Sequence, residues 1–349
     1  KAAYICFYPR IQNDALHHNV RLEQITITDM YVERLGGLFD FSNKSIKDKS
    51  PLATGTGTIT LNTNSAPIPS ATRNDTCFYI AIRPSTFLNL SISFTIKDPT
   101  TNVTATITHA NWWVGAFEAG KIYDYTAWLD KDIKNYDGNH YYMWDAQQNY
   151  WSGHEWNSAN PWQPTLMSQP ANPNYPQSNT DSRWYNEGGG SGRFDATQSC
   201  ATLPNANELS WYCMYGDPRW DADELWTTMG HLYKGGMWFK KKSVLQAEGN
   251  YNSNTAVDGT DWRTNGNSHS WSASQTLPSA ADAGKYFYLP ALGYYYVGKL
   301  TYVGLSGYYW SSSANPWYSD YAYNLYFRSG YVHVSFYDCY GGLRVGGFE

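Results

Sequence analysis

Charge is scarce in this chain of 349 residues. Asp, Glu, Lys and Arg together make up 16%, against the roughly 25% usual for soluble domains, and the formal net charge is only −5. So sparse and slightly negative a charge leaves no basic footprint for nucleic acid phosphates. No stretch approaches the ~18 uninterrupted apolar residues of a membrane span, and no charged segment followed by an apolar run opens the chain. Cysteines are few and odd in number: Cys6, Cys77, Cys200, Cys213 and Cys339 lack metal-ligand spacing, allow at most two disulfides and leave one thiol over. The expectation is that most are buried free thiols acting as small hydrophobes. His17, His18, His140, His154, His231 and His333 form no His-x-x-x-His pair and have no nucleophile partner in sequence. No catalytic residue, metal ligand or cofactor is therefore assigned, and the chain reads as a non-enzyme.

Aromatic residues are abundant, at 17%, with 31 Tyr and 16 Trp. Low charge combined with Tyr, Trp, Asn, Ser, Thr and Gly is the composition of extracellular β-rich domains, and of carbohydrate-facing proteins in particular. Residues 321–327 (YAYNLYF) and 331–337 (YVHVSFY) alternate in character, as strands with one buried face require. The intervening Arg328, Ser329 and Gly330 predict a hairpin, and Gly341-Gly342 and Gly346-Gly347 bracket a further short strand. Lys1 opens directly in strand-like sequence, from which a removed signal, a preceding domain or a lipid anchor upstream is expected.

The length suits about two domains, and the composition divides accordingly. Only Trp112, Trp113 and Trp128 precede residue 130, while the other 13 tryptophans follow it, which places the boundary at residues 129–134. The first half alternates repeatedly, in 20–28 (VRLEQITIT), 55–61 (GTGTITL), 77–83 (CFYIAIR), 88–96 (LNLSISFTI), 104–108 (TATIT) and 117–128, with turn residues between. Short strands at this spacing predict a β-sandwich. Residues 141–193 are rich in Asn, Pro, Trp and Ser without a period, and their five tryptophans mark ordered loop rather than solvated linker. Two helices are predicted. Asn205 followed by Glu208 resembles a capping box, and 220–233, with Asp221, Asp223 and Glu224 near its start, reads as a helix ended by Gly235-Gly236.

Residues 20–28, 38–42 (LFDFS) and 120–126 (GKIYDYT) resemble the second β-sandwich domain of fimbrillin-type pilins, the type V pili of oral and gut anaerobes. Residues 203–212 (LPNANELSWY), 226–239 (WTTMGHLYKGGMWF), 289–294 (LPALGY), 307–312 (GYYWSS) and 323–327 (YNLYF) resemble the paralogous C-type-lectin-like surface domain appended to such pilins and to lipoproteins. Formylglycine-generating enzymes share that fold. Cys200, Cys213 and Cys339 do not sit in a segment like that enzyme's active site, so kinship of fold alone implies no activity. The resemblance leaves about 140–195 unexplained. It implies an all-β, transthyretin-like sandwich over 1–130 and an α+β C-type-lectin-like domain over 135–349. It further implies a pilus tip or outer-surface adhesin, extracellular, joined to other pilin subunits by strand complementation and presenting its second domain to a glycan or protein on a host or bacterial surface. The chain's end at Phe348-Glu349, directly after the last strand, fits a tip position in that scheme. A structural or assembly pilin component without lectin activity is the first alternative, and an enzyme related to the formylglycine-generating fold the last.

Neutral sugars are held by aromatic faces that stack on the ring, with neighbouring polar groups bonding its hydroxyls. The candidates are Trp310, Asn315, Trp317, Tyr318, Asp320 and Tyr321, where Asn315-Pro316 breaks the strand pattern, with core packing the competing role for Trp310 above all, and also for Trp317 and Tyr318. Trp156 and Trp162, with Trp151 and Trp184, form a second candidate patch, against simple loop packing. Asp217, Asp221, Asp223 and Glu224 offer oxygens for calcium but lack both EF-hand spacing and the Glu-Pro-Asn and Trp-Asn-Asp triplets of calcium-dependent lectins. A solvated helix start is the expectation for these acids, and sugar binding is expected to be calcium-independent.

Overall fold

The computed structural model describes residues 1–29, 35, 39–40, 47–48, 57–70, 76–137 and 141–349, with the backbone alone at Phe39, Asp40, Lys47, Asp48, Asn111 and Val114. Parts of two predicted segments, 55–56 and 38 with 41–42, and His140 lie outside the described residues. The chain is predominantly β and divides into two compact units, Lys1–Lys134 with Gly230–Leu232, and Asn135–Met229 with Tyr233–Glu349.

The first unit is built from β1 (Ala3–Arg10), α1 (Asp14–Asn19), β2 (Arg21–Asp29), β3 (Phe39–Asp40), β4 (Lys47–Asp48), β5 (Thr58–Pro67), β6 (Phe78–Ile82), β7 (Thr86–Asp98), β8 (Val103–Ala116) and β9 (Ile122–Trp128). One sheet has the order β6-β1-β9, with β1 antiparallel to β6 and parallel to β9; the other is an antiparallel β5-β2-β7-β8. Alternation sets the buried faces. Leu90, Ile92, Phe94 and Ile96 of β7 are buried, and a register irregularity between Leu22 and Gln24 shifts the phase of β2 so that Leu22, Ile25 and Ile27 all point inward. Phe7 of β1 meets Phe94 of β7 edge-on at 6.0 Å, joining the two sheets into a sandwich. Each such fully buried Ile or Phe contributes about 1.5–3 kcal/mol relative to exposure.

The short β10 (Lys134–Asn135) precedes β11 (Tyr141–Tyr142). No helix or strand follows until α2 (Ala206–Tyr215), yet the intervening segment is fastened internally. The fully buried Asp145 carboxylate accepts from the backbone of Gln198 (2.7 Å), Cys200 (3.0 Å) and Thr197 (2.7 Å) and from Asn186 Nδ2 (2.9 Å), while the buried Trp144 donates Nε1 to Ser311 O at 3.0 Å. Satisfying these groups with a carboxylate gives the loop a fixed course. Helix α2 opens with the expected capping box: Glu208 N donates to Asn205 Oδ1 at 3.0 Å and Asn205 N to Glu208 Oε2 at 2.8 Å.

The second predicted helix is absent. Residues 219–240 form β12 (Arg219–Thr228) and β13 (His231–Lys240), adjacent strands of one sheet. Met229 and Gly230 have φ of +50° and +75°, the pair of left-handed residues that closes a two-residue hairpin and that no helix accommodates. The remaining elements are α3 (Lys242–Ala247), α4 (Trp262–Asn265), β14 (His269–Ser272), β15 (Tyr286–Pro290), β16 (Leu292–Tyr296), β17 (Lys299–Val303), β18 (Ser306–Ala314), β19 (Tyr321–Arg328), β20 (Tyr331–Asp338) and β21 (Leu343–Arg344). Strand β15 pairs with β13, and the largest sheet runs β11-β21-β18-β19-β20-β14, with β16 and β17 attached beside β18. The predicted C-terminal hairpin is β19-β20, closed by Ser329-Gly330 because Arg328 and Tyr331 are already paired. All five cysteines are free, and all but Cys77 are buried.

Candidate functional site

Strand β18 ends at Ala314 and β19 begins at Tyr321, and the loop between them is closed by Asn315. Its buried side-chain oxygen accepts from the backbone of Trp317 (2.8 Å) and Tyr318 (3.1 Å), and its own N–H donates to Tyr321 O at 2.9 Å. A glycine-rich segment braces the loop from the side. Gly192 N donates to Pro316 O at 2.9 Å, and Gly190, at φ +89°, lies so close that a Cβ there would stand 2.6 Å from Ser319 N. From this fixed loop Trp317 and Tyr318 project outward, 62% and 63% exposed, with Tyr321 meeting the Tyr318 ring edge-on at 6.1 Å. The neighbouring Asp338 carboxylate raises the Tyr321 hydroxyl, keeping it a neutral donor. Asp320 is exposed beside them.

The Trp317 indole rests on Gly266, the left-handed residue that ends α4; a Cβ at Gly266 would fall 2.3 Å from Trp317 Nε1. The next residue, Asn267, lines a cavity of about 490 Å³ with Met214, Asp258, Trp262, His269 and Trp271. Trp262 and Trp271 stack with centroids 6.3 Å apart, and His269 meets the Trp271 ring at 4.6 Å. Burial alone would raise the Asp258 carboxyl, but hydrogen bonds from Trp262 Nε1 (2.9 Å), Thr260 and Asn267 Nδ2 (3.2 Å) hold it below its ordinary value, so it is an acceptor at neutral pH. The cavity wall is tied to the main sheet through Tyr323, whose hydroxyl lies 2.8 Å from Trp262 O and 2.9 Å from Asn267 O. Helix α2 holds it from the other side, with Trp262 N donating to Asn207 Oδ1 at 2.8 Å.

No protein-family model and no curated protein matches the chain. Among solved structures it is similar to a candidate cell adhesion protein of Bacteroides fragilis NCTC 9343, at 17% identity and a TM-score of 0.23, over 38% of this chain and 43% of that one. A likeness this weak and partial carries neither fold nor function across.

The predicted residues fall into three places. Trp317, Tyr318 and Asp320 are exposed on the 315–321 segment, with the half-buried Tyr321 against Tyr318. Asn315 is buried there and acts as the loop's internal cap, leaving no part of it for a ligand. Trp310 is removed from the platform altogether: it is fully buried among Trp144, Tyr294 and Leu343, and its Nε1 donates to Tyr142 O at 2.7 Å. Its position on β18, facing the core in register with Asn324, is the reason. Trp156 and Trp162 line a second groove of about 450 Å³ whose walls include Pro161, Pro164, Pro170 and Pro173. One face of Trp162 is already covered by His154, stacked at 3.2 Å, so it is a wall rather than an open platform. Trp151 is buried.

The acidic cluster is a strand feature rather than a helix start. The Asp221 carboxylate is engaged by the backbone of Asp223 (2.9 Å) and Glu224 (3.0 Å) and by Trp238 Nε1 (3.0 Å), while Asp217 holds Arg219 at 2.8 Å and the Tyr286 hydroxyl at 2.6 Å. Sequence reasoning missed the Asp258–Trp271 cavity. Its one local signal is Gly266-Asn267 following a short run that begins at Asp261, which caps α4 through Arg263 N.

Proposed function

We propose that the protein is an outer-surface adhesin that binds a glycan through Trp317, Tyr318 and the adjoining cavity, without calcium. The observation that carries this reading is the pairing of two outward aromatic rings on a braced loop with a neighbouring cavity holding an aromatic wall and an ionised carboxylate. A pyranose offers an apolar ring face to stack and hydroxyls to bond, and Trp271, Asp258 and Asn267 supply the complementary groups at a size typical of small-ligand sites. The first unit would serve as the mount. Its sheet β6-β1-β9 has the short β6 at one edge, where a strand donated by another pilin subunit would gain main-chain hydrogen bonds. The second unit would then be the C-type-lectin-like display domain of a pilus tip or surface-anchored protein.

An aromatic lip also suits a protein partner, since exposed Tyr and Trp anchor protein interfaces equally well. Screening the full chain against a glycan array and a panel of matrix proteins, with calcium and with chelator, separates the two. Chelator-insensitive binding to defined glycans is the expected result. Binding to matrix proteins alone would replace the lectin reading, and binding to neither would leave a structural pilin component.

A further inference from the structure

Helix α1 carries three potential ligands on one turn. Asp14, His17 and His18 stand at positions i, i+3 and i+4, the spacing that brings helical side chains to one face. His17 Nε2 lies 3.3 Å from Asp14 Oδ1, the two imidazole centroids are 3.8 Å apart, and one ligand atom from each of the three residues lies within 4.8 Å of the others. Among the described residues no other group of three His, Cys, Asp or Glu side chains converges in this way. Adjacent helical positions diverge by about 100° around the axis, so the approach of the His17 and His18 rings is a specific arrangement rather than a consequence of their being neighbours.

The turn is held at its start. Asn13 Oδ1 accepts from Ala15 N and Leu16 N, each at 3.1 Å, and the Asp130 carboxylate accepts from Gln12 N (2.9 Å) and Asn13 N (2.8 Å). Leu16 is fully buried beneath the helix, and the His17 side chain is only 16% exposed, so one ligand is fixed in place. The Asp14 side chain, at 92%, faces solvent. Two ligands on one tetrahedral ion, with bonds of roughly 2.0–2.2 Å, stand about 3.3–3.5 Å apart. Asp14 and His17 already have that separation.

We propose that Asp14, His17 and His18 form a binding site for a first-row divalent cation such as zinc, with three protein ligands and the fourth position open to water. Two imidazoles with one carboxylate select this class of ion, whereas calcium requires six to eight oxygens. The site is independent of the adhesin reading, since it lies in the other unit.

The test uses the full chain, stripped with chelator and titrated with zinc chloride against a chromophoric zinc indicator, beside the variants His18→Ala and Asp14→Asn. Both residues are exposed, and a melting curve checks that each variant is folded. The expected result is one zinc per chain in the wild type, at least tenfold weaker in each variant, with no competition from excess calcium. Absence of zinc binding in the wild type, or undiminished binding in either folded variant, would overturn the proposal.

Discussion

Trp310 and Trp317 lie seven positions apart in one aromatic run and have opposite surroundings. Trp310 is on a strand with its ring in the core, so Trp310→Ala should destabilise the second unit by about 3–5 kcal/mol, read from chemical denaturation. Trp317→Ala removes an exposed ring and should leave stability within about 0.5 kcal/mol. Composition cannot distinguish these two tryptophans, because alternation in 306–314 is obscured where the strand is buried on both faces. Gly266→Ala tests the lip differently: the added methyl collides with Trp317 at a left-handed position, so ligand binding should fall together with a loss of roughly 1 kcal/mol in stability. Asp258 adds a pH dependence. Its folded value is depressed, so its contribution to stability is complete above about pH 5 and is lost as pH falls through the folded value, below about pH 4. Melting curves of Asp258→Asn between pH 3 and 6 should show a shallower acid limb than the wild type, and an identical limb would contradict the assignment.

Local signals were legible wherever they were self-contained. The Asn205–Glu208 pair marked the start of α2, and period-two alternation marked β2, β7, β19 and β20. Asn205→Ala should cost about 1 kcal/mol by removing the cap. The hairpin of β12 and β13 was not legible, since Asp221, Asp223 and Glu224 mimic the acidic first turn of a helix and the deciding feature is the positive φ of Met229, a residue with no turn preference. The 143–205 segment shows the same limit at greater length. Its order was inferable from its tryptophans, but its anchor, Asp145, bonds residues more than forty positions away and leaves no trace in any local window. Asp145→Ala would strand the buried Cys200 N–H at about 1–3 kcal/mol and remove the shared acceptor of the part-buried donors on Thr197, Gln198 and Asn186. The expected outcome is loss of cooperative unfolding in the second unit, monitored by near-ultraviolet circular dichroism.

For the chain as a whole, scarcity of charge and abundance of Tyr and Trp pointed to β structure, while the three aromatic-rich clusters of buried residues in the second unit were not foreseen. The same composition overstates the binding surface, because most of those rings are buried or half-buried among the described residues. The two most exposed rings among the described residues, Trp317 and Tyr318, lie side by side, next to a cavity assembled from α2, α4, β14 and the loop before α4. Only tertiary contact unites those pieces. The most direct test of the account is the affinity of the full chain for an immobilised glycan from the array, compared between wild type and Trp317→Ala with melting curves alongside. At least tenfold weaker binding at unchanged melting temperature is the predicted result; equal binding by the two proteins would contradict it.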